Sequence, residues 1–77
     1  MDVHEFIEKI ETNIDGITPG SLTPETVFRD LEQWDSLADL MLLAMVDSDY
    51  DVAISGAELR SFNTLNDIIN FIISKKQ

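Results

Sequence analysis

Apolar residues recur along this chain at helical spacing and almost nowhere alternate. Val3, Phe6, Ile7, Ile10 and Ile14 fall on one face of a first helix. Asp2 stands at its N-cap position with Glu5 three residues on, the spacing of a capping box. Asp15-Gly16 predicts its end. His4 lies in the first turn just off the apolar face and reads as a surface side chain. With no second His and no Cys, it lacks the companions that a metal or catalytic site needs.

A long connection follows, "GITPGSLTPETVFRDLEQW". Pro19-Gly20 marks a turn. Thr23-Pro24 reads as an N-cap followed by proline, so a helical turn or two is predicted to begin there. Phe28 and Leu31 are the apolar anchors that would pin this stretch to a core. Its length suits a functional loop or a crossing between parallel helices.

The second helix is predicted over residues 36–48, "SLADLMLLAMVDS", capped by Asp35 or Ser36. Leu42, Leu43 and Val46 fall together on the expected core face. Leu37, Leu40, Met41 and Ala44 fall together on the opposite side. A helix apolar on both sides is either buried all round or presents a sticky face, and 77 residues make all-round burial difficult. Asp39 lies on the core side by angle, where only the free backbone N–H groups of the first turn would excuse it.

Ser55 and Glu58 form the next capping-box spacing and open a short helix ending near Ser61. Thr64 caps a last helix, with Asp67 at its third position. Its core stripe is Leu65, Ile68, Ile69 and Ile72, and Lys75 and Lys76 lie at the negative end of its dipole. "DVAI" is the one strand-like run and is too short to build a sheet. The expected fold is all-α. Three main helices and a short one make a small four-helix bundle over residues 1–77, a single domain with a long loop between helices 1 and 2.

Charge narrows the partners. Fifteen acids face five bases, a net charge of -10. Eight acids and no base lie between Asp30 and Glu58. Such a field repels nucleic acid and anionic membranes and attracts basic protein surfaces and divalent cations. With no Cys, disulfides, thiolate metal sites and thiol nucleophiles are excluded. The opening residues carry no basic, apolar leader, and the most apolar run contains Asp39 and is too short for a bilayer. The expectation is a soluble, cytoplasmic monomer.

Residues 47–58, "DSDYDVAISGAE", place Asp47, Asp49, Asp51 and Glu58 where a calcium loop has ligands. The sixth position, which wants glycine for a positive φ, is Val52. Glu58 has a rival task in the Ser55 cap. The pattern reads better as two abutting features, the acidic exit of one helix and the cap of the next.

"WDSL", Trp34 to Leu37, sets Ser36 at a helix tip. Serine is an ordinary cap there, but a phosphate ester on its oxygen would also lie near free N–H groups and the positive dipole end. Catalytic nucleophilicity lacks a base: His4 is the one histidine, and no G-x-S-x-G elbow exists. The Asp35-Ser36-Leu37 triplet opening a long helix resembles the acyl carrier protein family. So do "DSDYDVAI", the short helix near Ala57–Ser61, the terminal Thr64-Leu65…Ile68-Ile69…Ile72 helix, the first amphipathic helix and the long loop.

The resemblance implies that Ser36 carries 4′-phosphopantetheine, attached from coenzyme A by a phosphopantetheinyl transferase. The arm's thiol would hold acyl groups as thioesters for acyl-transferring and chain-elongating enzymes of a fatty-acid, lipid or polyketide-type pathway. The chain itself would catalyse nothing. Leu37, Leu40, Met41 and Ala44 become a docking patch, and Asp35, Asp39 and Asp47 steer basic partners. Leu42, Val46, Leu59 and Phe62 would line an acyl pocket or be ordinary core. Trp34 stands where many such carriers have a small residue, Met41 replaces an acid, and Ser48 interrupts the acidic run. Docking should then lean on apolar contact, as in a specialised or auxiliary carrier. A peptidyl or aminoacyl carrier with the same attachment, or a calcium-binding helical module, are the competing expectations.

Overall fold

The computed structural model describes residues 1–76. Its regular structure is all-helical: α1 (Val3–Asn13), α2 (Ser36–Tyr50), α3 (Gly56–Ser61) and α4 (Leu65–Lys76), with one turn of 3-10 helix at Phe28–Asp30. No strand forms among the described residues, and a single isolated bridge joins Val27 to Thr64. "DVAI" forms no strand.

Each helix begins where its polar side chains satisfy orphan N–H groups, though not always as the spacing suggests. At α1, Asp2 accepts the Glu5 N–H at 3.1 Å. The reciprocal half of the box is absent, and the Glu5 carboxylate instead pairs with Lys9 at 3.4 Å. At α3 both halves form: Glu58 N–H donates to Ser55 Oγ, and Ser55 N–H donates to Glu58 Oε1, each at 3.0 Å. At α4, Asp67 N–H donates to Thr64 Oγ1, while Asp67 Oδ2 accepts from the N–H groups of Thr64 and Asn63. Those backbone donors hold the Asp67 carboxyl below its ordinary range, and the Ser55 N–H does the same for Glu58.

Helix α1 stops earlier than Asp15-Gly16 suggests. Ile14 leaves the helix in extended conformation, its N–H still bonded to Ile10. Gly16 follows at φ 88°, with the Gln33 side chain 2.9 Å from where a Cβ would stand. Any larger residue there is strained and displaces Gln33. The helical turn expected after Thr23-Pro24 forms four residues later, at Phe28–Asp30.

Residues 14–35 run between α1 and α2 and tie down the far helices. The Pro24 and Thr26 carbonyls accept the N–H groups of Asn66 and Leu65 at the start of α4. Arg29 donates to the Leu59 and Phe62 carbonyls at the end of α3. Orphan groups of two helix termini are thus satisfied by one connecting segment.

One core cluster joins all four helices and this connection. Helix α1 contributes Phe6, Ile7 and Ile10, and α4 contributes Leu65, Ile68, Ile69 and Ile72, as their periodicity predicts. Ile17, Leu22 and Phe28 come from the connection. Helix α2 buries Ala38, Leu42, Met45 and Val46, while Leu43 is only half-buried. The Cα radius of gyration, 11.3 Å, matches the roughly 11.5 Å expected of a folded chain this long.

Candidate functional site

The residues before Ser36 and those after Leu37 are anchored. Trp34 N–H donates to the Leu31 carbonyl at 3.0 Å, and its ring packs on buried Phe28 with centroids 4.9 Å apart. The indole Nε1–H donates to Asp39 Oδ1 at 2.7 Å. This bond explains the acid on the core side of α2. Asp39 does not cap the helix; it accepts the tryptophan's one donor. The cap is Asp35, whose Oδ1 accepts the Ala38 N–H at 2.9 Å and whose carbonyl accepts that of Asp39. Ala38 is buried beneath.

Ser36 is therefore the first residue of α2, exposed, between a cap and a buried alanine. Two of the first N–H groups of α2 are taken by Asp35. Those of Ser36 and Leu37 have no protein partner among the described residues. A negative group on the serine oxygen would meet those two donors and the positive end of a fifteen-residue helix.

Beside the serine lies the sticky face. Leu37 is 72%, Leu40 62% and Met41 41% exposed, and Ala44 is exposed with them. Leu37 and Met41 also wall a groove of about 210 Å³ between the end of α1 and the start of α2. Ile14 and Ala38 give it an apolar floor, and Asn13 and Gln33 are among its polar lining. Asp35 and Leu37 line it from both sides of Ser36. This groove was not foreseen from the sequence. Its one local signal is Gly16, whose missing Cβ lets Gln33 close over the chain.

Of the acids expected to steer partners, Asp35 and Asp47 are exposed, whereas Asp39 is half-buried and bonded to Trp34. Leu42, Val46 and Leu59 are fully packed in the core, and half-buried Phe62 packs on Phe71 with centroids 5.4 Å apart. Three surface clefts of the fold are lined by other residues.

The acids at 47–58 point to separate tasks. Asp51 ends α2 in the left-handed conformation, φ 56°, and the Val52 N–H donates to the Val46 carbonyl in a Schellman-type close. The positive φ falls at Asp51 and not at Val52, which is buried. Asp49 pairs with Lys9 at 3.4 Å, and Glu58 is held in the α3 cap. No group of three or more metal-ligating side chains gathers among the described residues.

No family model matches the chain, and no curated protein matches it.

No helix among the described residues is long and apolar enough to cross a membrane.

Proposed function

We propose that this chain is a carrier in the manner of the acyl carrier proteins it resembles, with Ser36 as the attachment point for 4′-phosphopantetheine. The observation that carries the reading is the setting of the Ser36 hydroxyl. It is exposed at the first position of α2, Asp35 before it caps the helix, and an exposed apolar strip begins at the next residue. The residues present fit a phosphodiester: Ser36 Oγ supplies the ester oxygen, and the unpartnered N–H groups of Ser36 and Leu37 compensate its charge without a basic side chain. The bound arm supplies a thiol that holds an acyl group as a thioester.

The protein's own contribution is positional. Asp35 and the Trp34–Asp39 hydrogen bond hold the tip of α2, so the serine is presented in one geometry to the transferase that modifies it. Leu37, Leu40, Met41 and Ala44 offer partner enzymes an apolar surface, and Asp35 and Asp47 add charge. With Asp39 engaged by the indole, docking leans on apolar contact, which supports a specialised carrier. The four helices act as a small bundle around the core, in a cytoplasmic monomer that performs no chemistry itself. Leu42, Val46, Leu59 and Phe62 shelter an acyl chain only if the core opens, because in this structure three of the four are packed tight.

The test is direct. The protein is incubated with coenzyme A and a promiscuous phosphopantetheinyl transferase and weighed intact. A gain of one phosphopantetheine, absent in Ser36→Ala, supports the reading, and no gain with an active transferase overturns it.

A further inference from the structure

Glu11 is the one charged residue buried among the described residues, 7% exposed. It lies in α1, and its Oε2 accepts the Leu22 N–H at 3.1 Å. No other protein donor meets the carboxylate among the described residues. Glu11 also lines a groove of about 410 Å³ between α1 and the turn at residues 20–24, with apolar walls from Ile7, Leu22 and Pro24 and a second carboxylate, Glu8, at its edge. Glu8 is exposed, and its only partner among the described residues is the exposed imidazole of His4 at 3.1 Å.

The Leu22 N–H occupies one Glu11 oxygen in a charge-assisted bond, and the other oxygen, which meets no protein donor among the described residues, is not sealed from solvent. A cation lying in the groove would give the charge a partner. A calcium ion is a poor fit, because it takes six to eight oxygen ligands and no cluster of three ligating side chains gathers among the described residues. A guanidinium fits better. It is planar, weakly hydrated, donates to two carboxylates at once, and sits on a stem that packs against apolar walls.

We propose that this groove receives one arginine side chain from a basic protein partner, its stem against Ile7, Leu22 and Pro24 and its guanidinium on Glu11 with Glu8. The net charge of -10 draws basic partners to the surface, and the groove selects where an arginine seats. It shares no lining residue with the groove beside Ser36, so this site stands whether or not Ser36 is modified.

The probe is N-acetyl-arginine methylamide, titrated into ¹⁵N-labelled protein at about 150 mM salt, where diffuse attraction is screened. Saturable shifts are expected at the Leu22 and Gly20 amides. Glu11→Gln keeps an acceptor for the Leu22 N–H and should weaken binding about tenfold. Glu8→Gln should weaken it about threefold and decides the matter should the first variant not fold. Shifts that gather instead at Asp47–Asp51 would overturn the site. So would variants that bind like the parent, or magnesium ion producing the same shifts at lower concentration.

Discussion

Helices α2 and α4 are similar in length and both rich in aliphatic residues, yet they place them differently. Helix α4 buries Leu65, Ile68, Ile69 and Ile72 in one stripe and gives Asn66, Asn70 and Ser74 to solvent. Helix α2 buries Ala38, Leu42, Met45 and Val46 and still exposes Leu37, Leu40 and Met41. Helix α4 shows that one stripe suffices to seat a helix in this core. The second apolar face of α2 is therefore surplus to folding, and it lies beside Ser36.

The largest expected effect tests the shared half of that comparison. Leu42→Ala in α2 and Ile72→Ala in α4 each truncate a fully buried side chain. Each should cost about 2–5 kcal/mol in urea unfolding, a large share of the stability of so small a domain. If Leu42→Ala were nearly neutral, the inner face of α2 would not be core at all.

Next comes the clamp at the tip of α2. Trp34→Phe keeps most of the ring on Phe28 but removes the donor to Asp39. A loss of about 1 kcal/mol is expected, and much less once Asp39 is also replaced by Ala. Equal losses in both backgrounds would mean that the indole acts by packing alone.

The pH dependence distinguishes the start of α4. The folded state holds the Asp67 carboxyl below its ordinary range through the Asn63 and Thr64 N–H groups. A depressed carboxyl stabilises the fold above its unfolded-state pKa, and the benefit fades as pH falls through the ordinary carboxylate range toward the folded value. Asp67→Asn should therefore melt below the parent at neutral pH, with the gap closing on acidification. A gap that stays constant with pH would refute the linkage. The difference between the two proteins, not either curve alone, is the readout.

The smallest stability effect belongs to the outer face of α2. Leu37→Gln and Leu40→Gln should change unfolding free energy by less than about 0.5 kcal/mol. Both should weaken retention on a hydrophobic column. If either destabilises like Leu42→Ala, the contrast between the two faces collapses.

Much of this architecture is legible in the sequence because its signals are local. The Ser55–Glu58 and Thr64–Asp67 caps lie three residues apart, and the α1 and α4 stripes repeat every three or four. Helix α2 hides its core register for the opposite reason. With apolar residues all round, Ala38 and Met45 could not be singled out as inner positions, nor Leu43 as only half-buried. The connection hides its role because its bonds are distant in sequence. Nothing near Arg29 announces that it will serve the carbonyls of Leu59 and Phe62. The groove beside Ser36 needs α1, Gln33 and α2 brought together in space. The position of Glu11 is legible, because it lies four residues from Ile7 and three from Ile14, within the apolar face of α1.

Trp34 is the chain's single tryptophan, two residues before the serine, and its indole is held against the Asp39 carboxylate. The molecule thus carries its own optical gauge. Indole emission depends on the polarity and hydrogen bonding around the ring, and no second fluorophore of its kind adds background. Whatever settles over the tip of α2, covalently or in passing, can be followed by the colour and intensity of that emission in unlabelled protein.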